Sequence, residues 1–291
     1  MTTTMTSASR GGFGYRHPRM RLAGLLTPPM LWLVVIYLGS LAALFLTAFW
    51  TVDDFTGQLV RTFTLDNFAE VFTNSSYYVV ILRTIGIALL VTVFCMALGL
   101  PLAFFMANVA PVRWRPVLVA LVLTPLWASY LVKVYAWRAM LQPQDGVLAW
   151  FLGPLGLDGP GYGFVGIVIT LTYLWLPYMI LPIYAGLTRL PVSYLDASAD
   201  LGARNARTFR SVVMPMVFPS IVAGSIFTFS LSLGDYITAQ IVGGKVTMLG
   251  NVVQTTYVTN LPFAAAVATI PVVIVLMYLF AVRRSGALDN L

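Results

Sequence analysis

One cysteine, one histidine and ten acidic residues are spread over 291 positions, and each scarcity excludes a chemistry. Cys95 alone forms no intramolecular disulfide and no thiolate metal cluster. His17 falls in a basic, polar N-terminal stretch where a solvated side chain is expected. A membrane-embedded enzyme would need a polar catalytic set at one depth, and no nucleophile and base pair or metal site can be assembled from these residues. No G-x-x-x-x-G-K-[ST] phosphate cradle is present, because Gly243-Gly244-Lys245 lacks the first glycine and the Ser/Thr. Apart from Asp235, the long apolar runs hold no acid or histidine for a proton relay. Nothing sets basic residues and base-stacking aromatics on one folded face, which excludes nucleic acid as a partner. A Gly/Ser linker and a clear internal repeat are also missing, so a single domain is expected.

What remains is grease. Hydrophobic residues make up 59% of the chain and charged residues 9%, with a mean hydropathy of +0.87. About 20 consecutive apolar residues span the hydrocarbon core of a bilayer, and six such stretches can be drawn, at 30–50, 85–107, 116–132, 164–186, 216–238 and 262–282. The expected class is all-α, a polytopic membrane protein in contact with lipid. The first apolar run is too long for a signal-peptide core and ends in bulky ALFLTAFW, so it reads as a retained helix.

Orientation follows from Lys and Arg in the connecting segments. Twelve of the seventeen basic residues fall on one side: Arg10, Arg16, Arg19 and Arg21, then Arg113 and Arg115, then Arg189, Arg204, Arg207 and Arg210, then Arg283 and Arg284. The other side has Arg61, Arg83, Lys133, Arg138 and Lys245, with most of the acids. Both termini are therefore expected in the cytoplasm. The external segment 51–78 reads as a loop with a short helix near 67–72, and 142–162 is too rich in Gly and Pro for a continuous helix. Pro101, Pro125, Pro177, Pro182, Pro219 and Pro271 lie in or at the edge of spans, serving either packing geometry or a bundle that changes shape.

DASADLGARNARTF, residues 196–209, is a polar island between two apolar runs on the basic side. Ser193 and Asp196 have capping-box spacing, so a short helix is expected from about Tyr194. Gly202 can end it in a left-handed turn, with a second helical stretch from about Asn205 leading to Pro215 and the next span. Such an element is too polar for lipid and too ordered for a linker.

Asp196, Ala197, Ser198, Gly202, Ala203, Val212, Met214 and Pro215 resemble the cytoplasmic loop of binding-protein-dependent ABC importer permeases. That family pattern is an acid, two small residues, three variable residues, Gly-Ala, and then Ile-x-Leu-Pro. PLWASYLVKVYAWRAML and SLSLGDYITAQIVGGKVTMLGNVV are similar to stretches of spermidine/putrescine permease subunits, while iron, phosphonate, opine, sulfate or amino-acid-like permeases are close alternatives. The resemblance implies the type I permease bundle in a bacterial plasma (inner) membrane. It implies a non-enzymatic transport subunit with no cofactor of its own; a separate cytoplasmic P-loop ATPase dimer would use ATP and Mg. A second homologous permease subunit and an extracytoplasmic substrate-binding protein would complete the importer. On this basis 1–29 is a cytoplasmic arm, 30–282 the permease domain with a coupling loop at 187–215, and 283–291 a cytoplasmic tail. Asp196, Ala197, Ser198, Asp200, Gly202, Ala203 and Arg204 would contact the ATPase. A self-sufficient channel or secondary carrier is the competing class, and would work in liposomes without any ATPase.

Asp235 is the one charge inside an apolar run. It is either a helix-end acid in external water or a carboxylate that attracts a cationic solute. Trp127, Tyr130, Tyr173, Trp175 and Tyr236 are either interfacial belt residues or cation–π partners for a polyamine.

Overall fold

The computed structural model describes residues 18–53 and 56–284; His17 with the basic stretch before it, Asp54 and the tail after Arg284 lie outside the described residues. α1 (Pro18–Trp32) passes through a π turn (Leu33–Leu38) into α2 (Gly39–Thr47). The first helix thus begins inside the stretch expected as an arm. A hairpin of β1 (Thr51–Val52) and β2 (Leu59–Val60) follows, with Thr51 opposite Val60. Two-residue strands are too short to show alternation in sequence. α3 (Asp66–Thr73) fills the position of the expected external helix.

α4 (Ser75–Phe104) starts at Asn74, whose side chain accepts the Ser76 N–H. Then come α5 (Arg115–Trp127), α6 (Tyr130–Met140), α7 (Val147–Leu152) and α8 (Phe164–Thr188). The remaining helices are α9 (Val192–Asp200), α10 (Asn205–Thr208), α11 (Met214–Leu233), α12 (Ile237–Val242), α13 (Leu249–Thr256) and α14 (Leu261–Arg284).

Among the described residues, five helical stretches are long and apolar enough to cross a bilayer: Gly24–Thr47, Ser75–Val109, Phe164–Thr188, Asn205–Leu233 and Leu261–Arg284. The third expected span needs correction. It is not one rod over 116–132 but two helices, Val112–Trp127 and Tyr130–Met140, bent by 92°. Ala128 and Ser129 are extended, with ψ of 142° and 140°, and Pro125 has already removed a hydrogen bond from the last turn of α5. The fifth span also ends earlier than expected, at Leu233, which leaves Asp235 in the corner beyond the helix.

α4, α8 and α11 form the packed centre, where Val91, Met179, Ile180, Ile183, Val217 and Ile221 bury their side chains together. In lipid, helix association depends on close van der Waals contact more than on escape from water. Gly224 of α11 shows how close that contact is: a Cβ there would stand 3.1 Å from Met179 Cα and 2.8 Å from its sulfur. Cys95 is buried in the same cluster, and its thiol donates to the Thr172 carbonyl at 3.5 Å. α14 closes the side of the bundle against α2, α3 and α13 through Phe263, Ala265, Ala266 and Val267. Pro215 has no N–H for the carbonyl of Ser211, and there the chain widens into a π turn, Phe209–Val213, joining α10 to α11 without a break.

Candidate functional site

α11 is capped by Gly234, and the chain turns through Asp235 and Tyr236 into α12. Asp235 is 7% exposed. Its Oδ1 accepts the Thr238 backbone N–H at 2.8 Å, satisfying a donor in the first turn of α12. Its Oδ2 accepts the Tyr130 hydroxyl, which also lies 2.8 Å from Thr238 Oγ1. The break between α5 and α6 makes this meeting possible, since Tyr130 is the first residue after it. Arg138 then ties α6 along α12, donating from Nη1 to the Ile241 carbonyl at 2.9 Å. Tyr162 donates to the Arg138 carbonyl at 3.2 Å, and its ring centroid lies 5.5 Å from the guanidinium carbon. From α13, Asn251 donates to the Tyr236 carbonyl at 2.9 Å. The hydrogen-bond donors to the Asp235 carboxylate are neutral. A buried carboxylate without a cation is costly, and the dry surroundings that make it so also strengthen its pull on one.

The Tyr130 ring stacks on Trp175 of α8 at 6.0 Å between centroids and 22°. Trp175 meets Tyr178 edge-on at 5.9 Å. Asp235, Tyr130 and Trp175 are thus brought together. Three other pathway candidates are not part of this constellation. Trp127 is 88% exposed on the far side of the break. Tyr173 pairs with Trp137 at 5.3 Å, and both line an apolar groove of about 360 Å³ with Phe94 and Leu98. Tyr236 lines a different cavity, about 540 Å³, with Gln254 and Tyr257. Sequence reasoning missed Thr238 and Tyr178, although each stands three residues after a recognised partner, the spacing of a cap and of one helix face.

The polar island folds as α9, a turn and α10. The expected capping box is not formed: Pro191 occupies the N-cap position, so Ser193 already lies inside the helix and no side chain caps it. Gly202 does adopt the left-handed conformation, with φ of +73°. Its N–H donates to the Ala199 carbonyl at 2.8 Å, and the Ala203 N–H to that of Ser198 at 3.1 Å. Ser198 Oγ and Thr208 Oγ1, 2.8 Å apart, clasp the two helices. Phe209 packs edge-on against Phe104 at 5.4 Å, anchoring the loop to the end of α4. Asp196, Ala197, Asp200, Gly202 and Arg204 are exposed, whereas Ser198 and Ala203 are half-buried. The sequence reading also missed Leu201, which is 88% exposed at the tip of α9. Its signal was a leucine set directly before the glycine turn, surrounded by charges.

Residues 99–284 match the family described as binding-protein-dependent transport system inner membrane component. The chain is 42% identical over 297 residues to the inner membrane ABC transporter permease protein YdcU of Escherichia coli (strain K12), covering 96% of this chain and 94% of that one. It is 32% identical over 268 residues to the spermidine/putrescine transport system permease protein PotB of the same organism, covering 89% and 96%. Among solved structures, a bacterial ABC transporter involved in the import of the acidic polysaccharide alginate shares the fold. The TM-score is 0.69 at 16% identity, over 92% of this chain and 96% of that one.

Proposed function

This chain belongs to the binding-protein-dependent transport system inner membrane component family, and from that premise we propose that the solute it passes is a linear polyamine such as spermidine or putrescine. The chain is the permease subunit of an ABC importer and catalyses no reaction itself; a separate ATPase uses the ATP, and a substrate-binding protein serves the transporter. One observation carries the polyamine reading: the buried Asp235 carboxylate with neutral donors only, beside the Tyr130 and Trp175 rings. The identity to a spermidine/putrescine permease supports it.

In this reading an arriving ammonium group replaces the Tyr130 hydroxyl at Asp235 Oδ2, exchanging a neutral hydrogen bond for a charge pair, and the neighbouring ring faces add cation–π attraction. Losing the Asp235 bond leaves Tyr130 its contact with Thr238 Oγ1 alone and so loosens the start of α6 from the α11–α12 corner. Solute arrival then bears directly on the bend between α5 and α6. On the cytoplasmic face, α9 docks on one subunit of a Mg-ATP-using ATPase dimer. Asp196, Asp200 and Arg204 offer charges to it, and Ala197, Ser198, Gly202 and Ala203 keep the loop slim. Closure of the ATPase dimer passes through the unbroken Asn205–Leu233 rod to the Asp235 corner. A second homologous permease supplies the other half of the pathway, the termini lie in the cytoplasm, and 30–282 with its loop at 187–215 forms one transport unit.

The test is ATP hydrolysis by the assembled complex in nanodiscs with its binding protein, with and without spermidine or putrescine. Wild type should be stimulated, and Asp196→Lys with Gly202→Trp should lose the stimulation. Stimulation by a different solute, with polyamines inert, would overturn the substrate assignment.

A further inference from the structure

We infer that the rings of Tyr130, Trp175, Tyr178 and Phe227 form a ladder that holds successive amine groups of a linear polyamine, with a pitch that favours four-carbon spacing between nitrogens. This rests on the polyamine reading of the Asp235 corner and names how that site would sort its solutes. The centroid separations along the series are 6.0 Å from Tyr130 to Trp175, 5.9 Å from Trp175 to Tyr178 and 6.5 Å from Tyr178 to Phe227. A four-carbon diamine has five bonds of about 1.5 Å between its nitrogens, which in staggered extension is about 6 Å; a three-carbon diamine reaches about 5 Å. A cation is attracted to a ring face within about 6 Å of its centroid, so matched spacing lets neighbouring ammonium groups sit on neighbouring rings.

Two further observations favour a cationic occupant over simple packing. The ladder begins at a buried carboxylate, through the hydrogen bond from Tyr130 to Asp235. It ends at Phe227, which is 53% exposed and lies six residues before the end of α11, about 9 Å back along the helix. Along that stretch the Ser230 hydroxyl, three residues from Phe227, is buried without a hydrogen-bond partner. A buried hydroxyl without a partner is uncommon, and its lone pairs suit an ammonium donor. The Trp175 indole N–H is also buried without a partner. As a donor it does not suit an ammonium, and it carries no part of the ladder argument.

The experiment measures uptake of 1,4-diaminobutane and 1,3-diaminopropane by proteoliposomes holding the complete complex, with its binding protein outside and ATP inside. Tyr178→Leu and Phe227→Leu should each raise KM for the four-carbon diamine about fivefold, bringing the ratio between the two diamines toward one. Phe94→Leu, in the separate apolar groove, should behave as wild type. Ser230→Ala should raise the same KM about threefold. Assembly is read by co-purification, and leucine at the half-exposed Phe227 leaves the core untouched. If wild type takes up diamines and the leucine variants keep the same preference, the ladder is only packing and the polyamine reading stands. If uptake of both diamines falls equally, the spacing rule is overturned. If wild type imports no amine while another solute drives ATP hydrolysis, the ladder and the polyamine reading fall together.

Discussion

Asp235 combines a charge with a cap, and substitutions can separate the two. Asp235→Asn keeps an acceptor for the Thr238 N–H and removes the charge. Polyamine-stimulated hydrolysis should fall at least about tenfold, because a charge pair in dry surroundings is worth several kcal/mol, while the purified complex keeps its composition. Asp235→Ala also strands the Thr238 N–H, so thermal melts should show a loss of about 1–3 kcal/mol. Equal loss of assembly in both variants would make Asp235 a structural corner and nothing more. Tyr130→Phe keeps the stacked ring and deletes the donor to Oδ2. If that bond holds α6 in place, hydrolysis without solute should rise about twofold or more, corresponding to a few tenths of a kcal/mol; unchanged basal hydrolysis would count against the latch.

The α9–α10 element is carried by backbone geometry that one residue decides. A β-branched side chain at Gly202, where φ is +73°, costs about 1–2 kcal/mol, and relief of that strain reorients α9. Gly202→Val should therefore weaken co-purification of the ATPase while the permease still inserts. Leu201 presents 88% of its surface to solvent, an apolar side chain that gains free energy if a partner covers it. Leu201→Asp should weaken ATPase binding about tenfold or more, measurable by titrating detached ATPase onto permease nanodiscs. Unaltered binding would mean that the exposed charges alone make the contact. Deeper in the bundle, Gly224→Leu has no room against Met179, so a sharp loss of folded protein is expected.

At the scale of the whole molecule, the uneven spread of Lys and Arg leads us to expect the α9 face on the ATPase side. The lone cysteine makes this easy to test, because Cys95 is buried and can be replaced by serine. In that background a membrane-impermeant thiol reagent should label Asp158→Cys in intact cells, and Ala206→Cys only after permeabilisation. The reverse pattern would invert the topology and remove the α9 loop from the ATPase side.

Hydropathy alone was enough for the membrane class and for five spans, because a bilayer demands about 20 apolar residues in a row whatever the neighbours are. The left-handed turn at Gly202 and the helical restart at Asn205 were likewise legible, since both depend on local backbone preference. The capping box failed because Pro191 took the N-cap position and drew Ser193 into the helix. The 92° break between α5 and α6 was hidden inside an apolar run, where hydropathy does not distinguish a straight rod from a bent one. Which aromatics meet Asp235 was also beyond the sequence: Tyr130 and Tyr173 look alike in composition, yet one reaches the carboxylate and the other packs against Trp137. That choice belongs to tertiary structure, because the bend of α6 and the close contact of α8 with α11 bring together side chains more than a hundred residues apart, and no local preference encodes such a meeting.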